Sequence, residues 1–180
     1  MQLPVTITNI HGEKLSFLRI LKTDSGEIVE VENEVAPKSG PPMHTHWKQD
    51  ESLTVVSGRL GYLVAGGTEQ FLSEGETAVF KKGTPHKFWN AGDTTLRCKG
   101  WVSPPDNIIY FLSEIYKSIN ENGGRPATFD AAWLLNRYKG EYAMQEIPSF
   151  VQKVIFPISL FFGKLSGKHK KFKDAPLPLS

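Results

Sequence analysis

From Val5 to about Val102 the chain is cut into short β-favouring runs, at 16–21, 28–35, 52–56, 60–65, 77–80, 86–90 and 96–101, by Gly, Pro, Asn, Asp and Ser. Gly66-Gly67 and Gly92-Asp93 stand between runs as turn pairs, because Gly accepts the positive φ that tight hairpin turns demand. Regular punctuation of this kind leaves room for roughly eight to ten strands and argues for an antiparallel barrel or sandwich.

The period changes after Pro104-Pro105. Ile108, Phe111, Leu112, Ile115, Tyr116 and Ile119 recur every three or four residues, one face of a helix that Gly123-Gly124 should end. A second helix is expected to take Thr128 or Asp130 as its N-cap and to run through Trp133, Leu134 and Tyr138 towards Gly140. A third, over 148–165, opens on Pro148 and contains Pro157, which lacks a backbone donor and should kink or interrupt it. With 180 residues, one domain with an appendage fits better than two cores. Residues 1–103 are read as the β-barrel, and 104–180 as a helical extension with a lysine-rich tail, packing on the barrel or on a dimer mate.

Charge narrows the partners. A formal net charge of +2 gives no broad basic field, and the positive excess is gathered locally in Lys168, Lys170, Lys171 and Lys173, so nucleic-acid binding is disfavoured. Cys98 is the only cysteine, and nothing in the fold then requires an oxidising compartment. Residues 1–14 lack a basic stretch followed by an apolar core, and a cytoplasmic location is expected. The apolar segment from Pro148 to Lys173 is broken by Lys153, Pro157 and Lys164, short of the ~20 apolar residues a membrane span needs. Peripheral membrane contact through it is possible in principle, but packing on the barrel or on a second copy is the reading preferred.

The chemistry gathers between residues 44 and 90. On a strand, His44 and His46 point to the same face. Glu51 follows after a turn long enough to bring its carboxylate in from the next run. His86, Phe88 and Asn90 share parity, so the face that shows His86 also shows Phe88. Three neutral imidazoles and a carboxylate suit one divalent first-row metal with a position or two left open. Three buried imidazoles would be costly to desolvate without such a shared partner. Phe88 is the first candidate for a pocket wall, with Met43, Tyr62, Phe80 and Trp101 behind it. His11, His169 and Cys98 are left outside the site.

These residues resemble the two sequence motifs of the cupin superfamily. His44, His46, Glu51 and Gly58 match the first motif, with Lys38 where its leading glycine should stand; Gly75, Gly83, His86 and Asn90 match the second, with Lys81 in place of its proline. The resemblance covers about residues 15 to 102. It implies a mainly β, double-stranded β-helix (jelly-roll) barrel, often a homodimer, with iron, manganese, nickel, zinc or copper held by His44, His46, Glu51 and His86. The sixteen residues between Gly58 and Gly75 leave room for a small hairpin and no inserted lid.

The function expected is an enzyme that binds a small organic molecule at the metal, with dioxygenase-like, isomerase or lyase chemistry, and with Glu51 as a possible general base. The alternative is a binding or sensing module that holds a small molecule at the metal without turning it over.

Overall fold

The structure, a computed structural model, describes residues 2–24 and 26–179. Eleven strands are found among them: β1 (Val5–Thr8), β2 (Glu13–Thr23), β3 (Gly26–Val35), β4 (His44–His46), β5 (Asp50–Ser57), β6 (Leu60–Val64), β7 (Gln70–Leu72), β8 (Thr77–Phe80), β9 (His86–Asn90), β10 (Leu96–Ser103) and β11 (Tyr142–Met144). One sheet has the order β1-β2-β3-β10-β5-β8 and the other β11-β4-β9-β6-β7, and every pairing is antiparallel. This is the mainly β jelly-roll barrel that the punctuation and the motifs lead one to expect. The gap between Gly58 and Gly75 is filled by the β6–β7 hairpin.

Period-2 alternation sets which faces meet. In β9 His86, Phe88 and Asn90 are buried and Lys87 and Trp89 are less so. In β3 Val29, Val31, Asn33 and Val35 are the buried set. Val35, Leu53, Val55, Leu60, Ala78, Phe80, Phe88, Leu96 and Cys98 close the barrel interior. Asn90 acts as a clamp at one end of that interior, its Nδ2 donating to Val35 O (2.8 Å) and Thr94 O (2.7 Å). Lys38, standing at the motif's glycine position, takes φ 64°, so the turn keeps the left-handed conformation although the residue is not glycine.

A second apolar cluster joins sheet to helices. Leu15, Phe17, Val29, Val31 and Val102 of the larger sheet pack with Ile108 and Phe111 of α1 (Ile108–Glu121) and Phe129 and Leu134 of α2 (Thr128–Arg137). The helices cover the part of that sheet which the smaller sheet leaves open. The α2 cap differs from expectation: Ala127 is the N-cap and Thr128 already lies within the helix, with no side-chain cap bond. Asp130 is engaged elsewhere, accepting from Ser118 Oγ (2.7 Å) and Lys171 Nζ (2.5 Å).

The last helix runs through Pro157 by widening. A π-helical turn, Val151–Ile155, precedes α3 (Phe156–Leu165), in which Pro157 sits in the first turn. Wider winding is one way a helix accommodates a missing donor. α3 packs on α2 through Gly163, where a Cβ would run into the Phe129 ring, and Leu160 joins the same cluster. Most of the segment's remaining large apolar residues face outward. Among the described residues no helix is long and apolar enough to cross a membrane.

Candidate metal centre

The two sheets bring the site together from opposite sides. His44 and His46 come from β4 and His86 from β9, where His44 and His86 are direct cross-strand partners; Glu51 comes from β5 of the other sheet. One ligand atom from each of the four lies within 4.8 Å of all the others. His86 Nε2 is 3.2 Å and His46 Nε2 3.7 Å from the same Glu51 oxygen. His46 and His86 are buried, while His44 and Glu51 are partly open.

Each imidazole is oriented by a bond on its far nitrogen. His44 Nδ1 donates to Pro42 O (2.8 Å) and His86 Nδ1 to Thr84 O (2.9 Å). These carbonyls only accept, so Nδ1 must carry the proton. His46 Nδ1 meets Gln49 Oε1 at 3.1 Å. The Gln49 amide is itself fixed, because its Nε2 donates to Pro105 O (3.3 Å) and to the Tyr142 hydroxyl (3.0 Å). Its oxygen is therefore the atom that faces His46. Nε2 of His46 and of His86 faces Glu51, and in all three rings the Nδ1 bond leaves the Nε2 lone pair for ligation, the arrangement that metal-binding histidines use.

That arrangement is unfavourable by itself. An imidazole lone pair 3.2 Å from a carboxylate oxygen sets two electron-rich atoms against each other unless a proton or metal ion lies between them. The donor set thus fits a divalent cation, by chemistry as well as by proximity. Burial, and then the neighbouring imidazoles His46 and His86, pull the His44 pKa down to about 3. Burial likewise lowers His46, with Glu51 partly opposing. Burial alone would raise Glu51, but contact with His86 and the field of the imidazoles outweigh it and hold the carboxyl at about 2.

The surroundings differ from the sequence reading in useful ways. Phe88 faces the barrel interior as its parity requires, within the apolar cluster. The ring that lies on the quartet is Phe80, stacked on His86 at 4.1 Å and 6°, with Tyr62 edge-on to Phe80 at 5.6 Å. Trp101 faces away: it alternates with Val102, the inward residue opposite Glu51, and lines a surface hollow with Lys48 and Lys82. Cys98 is buried and its thiol is pushed up to about 12 by burial, the behaviour of a small core hydrophobe. His11 is exposed, with Nε2 2.7 Å from Gly124 O.

Two participants were not anticipated. Gln49, 1% exposed, lies between His46 and Glu51 in sequence, where a single glutamine carries no period. Tyr142 lies on β11, which pairs with β4 so that Tyr142 stands opposite His46 and Met144 opposite His44. Its ring meets His46 edge-on at 5.6 Å, and burial pushes its hydroxyl pKa up. The segment after Ser103 therefore supplies an edge strand beside the ligand-bearing strand.

The barrel residues are similar to known proteins. Residues 31–102 match the cupin domain family. A probable oxidoreductase, virH, of Hypocrea virens is 35% identical over 68 residues, covering 37% of this chain and 31% of that protein; the chain spans about a third of the length of the curated relatives it matches. The capsular polysaccharide assembling protein CapF of Staphylococcus aureus superposes with a TM-score of 0.50 at 18% identity, over 59% of this chain and 32% of that one. An uncharacterized double-stranded β-helix protein of Klebsiella pneumoniae gives 0.46 at 23% identity, over 54% and 81%.

Proposed function

From the premise that this chain belongs to the cupin superfamily, we propose that His44, His46, Glu51 and His86 hold one divalent transition metal ion, and that the protein is an oxidoreductase acting there on a small organic molecule. The observation that carries the reading is the common orientation of the three imidazoles, each with Nδ1 tied back to an acceptor so that Nε2 is left to ligate, and with Nε2 of His46 and His86 beside the Glu51 carboxylate. The name of the Hypocrea virens relative favours oxidoreduction over isomerase or lyase chemistry.

A bound metal would supply Lewis acidity and, for a redox-active ion, electrons to a substrate entering its open positions. The chain's own residues then have distinct tasks. Pro42 O, Thr84 O and Gln49 hold the imidazoles in the ligating tautomer. Phe80 and Tyr62 and the apolar barrel lining exclude water from the inner side. A carboxyl held at about 2 is a weak proton acceptor at neutral pH, which suits Glu51 as a ligand better than as a general base.

Elemental analysis of protein purified from its own host, beside a His44→Ala/His46→Ala double variant, tests this. Stoichiometric iron, manganese, nickel or copper in the wild type alone is expected, followed by oxygen uptake with small diols or diketones. Zinc, or metal without turnover, would shift the assignment to a non-catalytic binding module; equal metal in both proteins would overturn the ligand set.

A further inference from the structure

The helix over 149–165 exposes an apolar stripe. Phe150 (63% exposed), Val154, Ile158, Phe161, Phe162 (both 62%) and Leu165 (70%) follow one another at steps of one, three or four residues, while Leu160 and Gly163 face α2. A contiguous patch of large apolar side chains on one helix face marks a surface that another body covers.

Charge says which body. Between residues 147 and 173 lie six lysines, 153, 164, 168, 170, 171 and 173, out of 21 lysines and arginines in the chain, and none of its 19 acidic residues. The rest of the chain is therefore net acidic. Lys171 is engaged with Asp130; the other five are exposed. The 3-10 turn Lys168–Phe172 is fastened by Phe172, buried and stacked on Trp133 at 4.2 Å and 11°. This keeps Lys168, Lys170 and Lys173 beside the end of the stripe. A symmetric pair of copies meeting through this face would give these lysines no opposite charge, since both present the same segment and it holds no acidic residue. An apolar face about 25 Å long, bordered by cations and too short to span a bilayer, matches an anionic lipid surface.

We propose that the 149–173 segment lies on anionic membranes, its phenylalanines in the acyl boundary and its lysines on the headgroups, with the barrel held above. The full chain is mixed with vesicles of phosphatidylcholine alone or with phosphatidylserine, at low and high salt, and floated on a density gradient. Flotation with the anionic vesicles only, weakened by salt, is expected. Phe161→Asp/Phe162→Asp should abolish it. Lys164→Glu/Lys168→Glu/Lys170→Glu should reduce partitioning on the order of 100-fold or more; these exposed sites should leave the melting temperature unchanged. No flotation, or equal flotation with neutral vesicles, would overturn the proposal. So would wild-type dimerisation that the phenylalanine variant abolishes, because the stripe would then be a contact between copies.

Discussion

The two halves of the histidine cage are built differently. His44 and His86 are oriented by backbone carbonyls two residues upstream, Pro42 O and Thr84 O, short-range bonds, although β4 itself pairs with β11 as well as with β9. His46 depends on Gln49, whose amide is held by Pro105 O and by Tyr142, 56 and 93 residues further along the chain. The orienting bonds of one half are local to the barrel, and those of the other form only when the extension has docked. The extension thus helps to orient His46 as well as to cover the sheet.

The most severe way to break the contrast is to end the chain before Pro104. Leu15, Phe17, Val29, Val31 and Val102 would lose their helical cover, at about 2 kcal/mol for each large side chain returned to water, a sum comparable with the whole stability of a domain. We expect aggregation and no cooperative unfolding, read by size-exclusion chromatography and denaturant titration. A soluble truncated barrel with a sharp transition would mean that the two halves are independent.

Within the intact fold, His86→Ala should have the largest effect on the site, lowering metal affinity on the order of 100-fold or more while the far-ultraviolet spectrum stays β-like. Gln49→Ala follows, with a loss of roughly 10- to 100-fold, the usual size for a residue that orients a ligand. Tyr142→Phe should cost only a few-fold, because Gln49 keeps its bond to Pro105 O. Competition with a chelator ranks the three. If Tyr142→Phe matched Gln49→Ala, the extension's hydroxyl would be the main anchor of the amide; if it had no effect, Pro105 alone would suffice.

The same asymmetry decides what could be read from the sequence. Strand parity and motif spacing are local properties, and they marked His44, His46, Glu51 and His86, the hairpin after Gly58 and the helix from Ile108. β11 is three residues long, too short for any period to register, and its pairing with β4 spans about a hundred positions. Gln49 is a lone polar residue in a turn, and its role exists only once Pro105 and Tyr142 arrive. Parity within one strand ties Phe88 to His86, whereas Phe80 reaches His86 from the other sheet, a relation that no single strand's pattern carries. Thr128 and Asp130 both have the chemistry of a cap, but the N-cap falls one residue earlier, at Ala127, and Asp130 is drawn away to Ser118 and Lys171.

Acid should weaken the metal-free protein. The His44 pKa falls from an ordinary 6.5 to about 3 on folding, so between those values the unfolded chain binds more protons and stability declines as pH drops. Glu51, lowered from 4.5 to about 2, continues the decline below pH 4.5. Melting temperatures of the chelated protein should fall from about pH 6.5 downwards, and His44→Asn should flatten the upper part of that fall. An unchanged profile in the variant would show that the imidazole is not buried in its neutral form.

The smallest effect expected lies just upstream of the local half. Lys38 holds φ 64°, a conformation that costs a side-chain-bearing residue roughly 1–2 kcal/mol and glycine almost nothing. Its backbone N–H donates to Asn90 O (3.1 Å) and the neighbouring Ser39 O accepts from Asn90 N (2.9 Å), so the turn is pinned to the last residue of β9. Lys38→Gly relieves the strain but loosens the unfolded chain, and the two contributions oppose. We expect a net gain of about 0.5–1 kcal/mol in denaturant unfolding with metal affinity unchanged, since Pro42 O and Thr84 O would still orient His44 and His86. A variant that gained stability and lost metal would show that tension in this turn helps to hold β4 against β9, and that the local half is less self-sufficient than its short-range bonds imply.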